Sequence, residues 1–138
     1  MSQITTFFTT DHRACDQLWA DLEQAVDGGE PLPVWTAFDE AMRRHLGWEE
    51  EIIFPAFEQR MGPGGPTSVM RAEHTQMRGV LDAMQGCADA GSWEDLLDHG
   101  DTLLMLIQQH NMKEEGILYP MCDRFLTDEW PAIEARLK

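Results

Sequence analysis

Positive charge is scarce in this chain: ten Lys and Arg face twenty-five Asp and Glu across 138 residues, a formal net charge of −15. Such a balance repels phosphate backbones and anionic lipid headgroups, so no nucleic-acid or membrane partner is expected, and small neutral ligands or cations fit better. Cysteine is sparse as well. Cys15, Cys87 and Cys122 are odd in number, lack C-x-x-C spacing and follow no signal-like opening, so they read as reduced thiols in a cytoplasm. No apolar run approaches the ~18 to 20 residues of a membrane span, which points to a soluble protein. Strand-like alternation is missing too.

What is present is helical periodicity. Dense Gly/Pro/Ser clusters occur at "VDGGEPLP" (26–33), "MGPGGPTS" (61–68) and "ADAGSWED" (88–95), and they divide the chain into long segments. Within those segments apolar residues recur every three or four positions, as in Leu18, Leu22, Ala25 and Val26, or Leu96, Leu103, Leu106 and Ile107. Helices are expected at about 10–27, 33–60, 67–88 and 93–126. Ser92 followed by Asp95 resembles a capping box, and Gly28 and Gly62 sit where helices stop. Short loops make an all-α, up-down-up-down four-helix bundle the natural architecture. At 15.8 kDa the chain is expected to be one domain over 1–138, with a short terminal helix in 127–138.

The chain also repeats itself. "RRHLGWEEEIIFP" (43–55) returns as "QQHNMKEEGILYP" (108–120), each with a His, three residues, Glu-Glu, three residues and an aromatic-Pro pair. At ~100° per residue, positions four apart share a helix face, so Glu49 aligns with His45 and Glu114 with His110. Glu50 and Glu115 point elsewhere and read as supporting or solvated groups. His12 and His45 lie at similar distances from the middle of the first loop, and His74 and His110 from Gly91, so four histidines meet in one layer. Pro55 and Pro120 should kink the helix or end it.

A lone H-x-x-x-E is a common surface pair. Two copies at equal offset, with two more histidines at matching depth, are not. Six inward polar groups, His12, His45, Glu49, His74, His110 and Glu114, would be costly in an apolar bundle unless something satisfied them, and a pair of divalent cations is the simplest remedy. His99 lies too far along its helix to join them. Cys15, one turn from His12, reads as a buried thiol ahead of a ligand, and Met42 and Met77 as core residues that line the pocket.

The stretches "TTDHRACDQLW", "HLGWEEEIIFP", "MRAEHTQMRGVL" and "HNMKEEGILYP" resemble the hemerythrin-like, or HHE cation-binding, domain over essentially the whole chain. The resemblance implies a four-helix bundle with two non-haem iron ions held by the same six residues, binding a small diatomic ligand, oxygen or nitric oxide. Oxygen carriers of the family have a fifth histidine on the third helix, where this chain has Met70 and Arg78. More open coordination follows, which favours sensing, scavenging or stress-response chemistry over storage. Iron identity rests on the resemblance, since manganese and zinc suit the same donors. A redox or iron-handling role, such as iron-centre repair, ferroxidase or peroxide reduction, stays open, as does a structural zinc bundle. No reductase, second substrate or protein partner is named by the residues, so a ligand-binding module is favoured over an enzyme.

Overall fold

The computed structural model describes residues 2–137; Met1 and Lys138, the ends of the expected domain, lie outside them. Helices α1 (Gln3–Gly28), α2 (Pro31–Trp48), α3 (Phe54–Met61), α4 (Pro66–Asp89), α5 (Trp93–Lys113), α6 (Tyr119–Phe125) and α7 (Trp130–Arg136) follow one another with no strand among the described residues. Helix α1 packs along α2 and α4 along α5, the two hairpins of an all-α bundle. The short terminal helix is α7.

Each long helix buries one stripe. On α1 it runs Ile4, Phe8, His12, Cys15, Trp19, Leu22, and on α4 Met70, His74, Met77, Leu81, Met84. The histidines sit in register with the apolar residues, so the packing that buries the stripe also buries them. Two apolar clusters result. One gathers Trp19, Leu22, Trp35, Phe38, Leu81, Met84 and Leu103 toward one end, the other Ile4, Phe8, Phe54, Phe57, Leu118 and Tyr119 toward the opposite end. The four buried histidines lie where the two sets meet, one on each long helix. Close packing sets one glycine: a Cβ on Gly100 would lie 2.0 Å from the Trp19 ring.

Three local expectations need correction. Helix α1 starts at Gln3, not near residue 10, although "TTFFTT" is rich in poor helix formers. Tertiary contacts override that preference. The Asp123 carboxylate accepts the backbone N–H groups of Ile4 (2.8 Å) and Thr5 (3.1 Å), capping the first turn from the far end of the chain. Ser92 does precede α5, but its side chain makes no capping bond. Pro55 and Pro120 do not end their helical runs. A π turn, Glu49–Ile53 or Glu114–Leu118, precedes each, with Phe54 N–H bonded to Glu49 O and Tyr119 N–H to Glu114 O. Proline has no N–H to give and crowds the preceding turn, and one widened turn accommodates both defects.

Candidate metal centre

All six expected residues meet between the two clusters. His12, His45, His74 and His110 come from α1, α2, α4 and α5, and Glu49 and Glu114 open the two π turns; none is more than 4% exposed. Glu114 offers Oε1 to His12 Nε2 at 3.2 Å and Oε2 to His110 Nε2 at 3.0 Å, so one carboxylate spans both histidine pairs. Glu49 Oε1 lies 3.1 Å from His74 Nε2 and 3.5 Å from His45 Nε2. The donors fall into two groups, Glu49, His74, His110 and Glu114 in one and His12, His45 and Glu114 in the other.

A ring of outer carboxylates fixes the imidazoles. His45 Nδ1 meets Asp11 at 2.7 Å, His74 Nδ1 meets Glu50 at 2.8 Å, His110 Nδ1 meets Glu73 at 2.8 Å and His12 Nδ1 meets Glu115 at 2.7 Å. Each acid thus holds the histidine of the next helix in the order α1, α2, α4, α5 and back to α1. Arg13 on Glu115, Arg78 on Glu50 and Lys113 on Glu73 anchor three of them. Committing each Nδ1–H outward leaves the Nε2 lone pair facing inward, the tautomer that binds metal.

With the imidazoles neutral and both carboxylates ionised, the six residues turn only acceptors toward one another. His74 and His110 bring their Nε2 atoms to 3.2 Å, and Glu49 Oε1 and Glu114 Oε2 have no hydrogen-bond partner among the described residues. Burial and the Glu114 charge push the Glu49 carboxyl up; burial pushes Glu114 the same way, but its close approaches to Glu49, His110 and His12 outweigh this and hold it well below the usual range. Burial draws the His110 imidazole down, yet its hydrogen bond to Glu114 and the surrounding carboxylates more than offset this and raise its pKa to about 9. Without an ion, protons must stand in for positive charge. Orphaned oxygens and facing lone pairs fit divalent cations, so the donor set passes the test of its chemistry.

Beside His12, His45 and His110 lies a cavity of ≈ 20 Å³, room for about one water-sized molecule. Cys15, Met42 and Met77 line it, as expected of the two methionines. Cys15 is a buried free thiol whose pKa burial pushes up to about 12, so it is held as the neutral thiol. His99 is exposed and apart from the centre. Arg78 turns to Glu50 and Met70 joins the apolar cluster around Tyr119, so neither replaces a fifth histidine.

Three participants escaped the sequence reading. Asp11 and Glu73 immediately precede His12 and His74, and that repeated acid-His pair was the available clue. Tyr119, from the second aromatic-Pro pair, places its hydroxyl 2.7 Å from Glu49 Oε2 and 2.8 Å from Glu114 Oε1. Burial and those two carboxylates push its pKa well up, so without an ion it stays a phenol with one proton for the two acceptors.

The family model for the hemerythrin HHE cation binding domain matches residues 3–122. The chain belongs to that family. Among curated proteins it is similar to iron-sulfur cluster repair proteins YtfE of Salmonella newport (strain SL254) and Salmonella heidelberg (strain SL476), 26% identical over 95 residues. Each alignment covers 62% of this chain and 43% of the relative, so the chain spans under half the length of those proteins. No solved structure matches. As a hemerythrin-like domain it is a metal-binding helical bundle.

Proposed function

We propose that the protein holds two non-haem iron ions through His12, His45, Glu49, His74, His110 and Glu114, and uses the pair to bind oxygen or nitric oxide in sensing, scavenging or a stress response. The observation that carries this reading is the buried layer in which four Nε2 atoms face two carboxylates, with one oxygen of each glutamate left without a hydrogen-bond partner among the described residues. Among the described residues, three cationic side chains, Arg13, Arg78 and Lys113, hydrogen-bond to the six carboxylates in and around the layer, a shortfall of positive charge that divalent ions offset. A ferrous pair supplies electrons to a diatomic ligand. The protein's share is to keep the imidazoles oriented through Asp11, Glu50, Glu73 and Glu115, to exclude bulk water, and to leave the small cavity beside His12, His45 and His110 for the ligand. A cytoplasmic setting, where its three free cysteines stay reduced, suits this role.

Metal analysis, with absorption spectra of anaerobic protein before and after oxygen or nitric oxide, tests it. About two iron ions per chain and a spectrum that responds to either gas are expected. One ion per chain, or zinc with an unresponsive spectrum, overturns the reading. Similarity to the iron-sulfur cluster repair proteins favours a second reading, iron-centre repair. Recovery of a nitric-oxide-damaged iron-sulfur enzyme on adding the iron-loaded protein, absent with apo protein, would select it.

A further inference from the structure

We propose that Tyr119 is itself a metal ligand, its Oη being a further donor to the ion held by His12 and His45. This rests on the dinuclear reading above. Oη has four close neighbours: Glu49 Oε2 at 2.7 Å, Glu114 Oε1 at 2.8 Å, His12 Nε2 at 3.1 Å and His45 Nε2 at 3.4 Å. In the protonation state that binds metal, with the Nδ1 protons of both histidines committed to Glu115 and Asp11 and both glutamates ionised, all four neighbours are acceptors, and one phenol proton satisfies one of them. Hydrogen bonding therefore explains a single contact. Donors sharing one ion through bonds of ~2.0 to 2.2 Å stand roughly 3 Å apart when adjacent. The four separations bracket that spacing.

The two donor groups show why the place matters. His74 and His110 have both glutamates with them, whereas the group of His12 and His45 counts only Glu114. Tyr119, 0% exposed, brings oxygen to the poorer group. In the other half of the repeat the same position is Phe54, which packs on the His74 ring at 5.3 Å between centroids and has no oxygen to offer. On loading, the Oη–H bond breaks, the oxygen pair forms the bond to the ion, and the proton leaves to solvent. No electron changes hands, and the cation's charge favours the anionic oxygen.

Tyr119 is the only tyrosine in the chain, so any phenolate signal has one source. The experiment loads the protein with ferrous iron, oxidises it to the ferric state, counts iron per chain, and records the visible spectrum with resonance Raman scattering. Two ions with a phenolate-to-iron charge-transfer band and enhanced phenolate ring modes are expected, both lost in Tyr119→Phe, which still retains at least the ion of the His74 and His110 side. Two ferric ions with no phenolate modes in the unmodified protein overturn the inference and leave the dinuclear reading standing. So does a band that persists in Tyr119→Phe. Fewer than two ions in the unmodified protein overturn the dinuclear reading and the inference with it.

Discussion

The two halves of the centre are built alike and finished differently. Each has a His-x-x-x-Glu-Glu run entering a π turn, an aromatic-Pro pair, and a histidine preceded by an acid on the neighbouring helix. The aromatic is Phe54 beside the pair His74 and His110, and Tyr119 beside the pair His12 and His45. One hydroxyl is thus the chemical difference at that position. Its consequence is large because it lies within hydrogen-bond distance of both buried glutamates. Duplicated scaffolding sets where donors stand, and single substitutions within it decide which donors each half can offer.

The strongest break in that symmetry comes from the bridging acids. Glu114→Ala removes an oxygen from each half at once and should leave the protein without stable metal at either position after dialysis. Glu50→Ala and Glu115→Ala each remove only the partner of one histidine, which typically costs 10- to 100-fold in metal affinity. Metal per chain measured against a competing chelator distinguishes them. Should Glu50→Ala empty the centre while Glu49→Ala keeps it, the inward and outward assignment is reversed.

Removing the metal from both halves comes next. At free metal about 100 times Kd, each ion bound adds about 2.7 kcal/mol, which for a domain of this size raises Tm by on the order of 10 °C per ion. Equal melting temperatures for apo and loaded protein would mean that the buried acceptors are satisfied without an ion.

Acidity sharpens the comparison within each pair. The folded pKa of His110 is raised from 6.5 to about 9, so the stability that its protonated form lends the apo protein is present below pH 6.5 and lost as pH rises through about 9. Metal must displace that proton. Affinity should therefore rise across the same window, by up to about tenfold per pH unit for one proton, and the gap in Tm between loaded and apo protein should widen. Melting both forms at pH 6 and pH 9 checks the sign, and a narrowing gap refutes it. His45 is shifted in the same direction: burial lowers it, while Glu49, Asp11 and Glu114 raise it by more.

How much of this was legible beforehand follows from what kind of contact each feature is. His12, His45, Glu49, His74, His110 and Glu114 lie in register with helical stripes, and periodicity with matching distances from the loops brings them to one layer. Asp11 and Glu73 do not act on the histidines beside them but on His45 and His110 across a helix boundary. That choice appears only once helices are packed. The π turns escape because a proline in a helical run announces a defect, not how the backbone absorbs it. Tyr119 escapes because an aromatic at a buried position is usually core, and only the carboxylates opposite it reveal the use of its hydroxyl. The start of α1 was hidden for a similar reason, since its cap is Asp123, more than a hundred residues away.

That cap gives the smallest and most selective test. Asp123 belongs to α6, the helix that begins with Tyr119, and its carboxylate receives Ile4 N–H, Thr5 N–H and the Thr5 hydroxyl at the start of α1, the helix that carries His12. It ties together two elements of the half that contains the hydroxyl and touches neither His74 nor His110. Asp123→Ala should cost about 1 kcal/mol of stability, the usual loss for a helix cap. Hydrogen exchange should quicken along the first turns of α1, while the amides of α4 and α5 near His74 and His110 keep their protection apart from the global change. Uniform loss of protection in both halves would show that α1 and α6 do not move separately from the rest, and that the difference between the halves is confined to the chemistry at Tyr119 and Phe54.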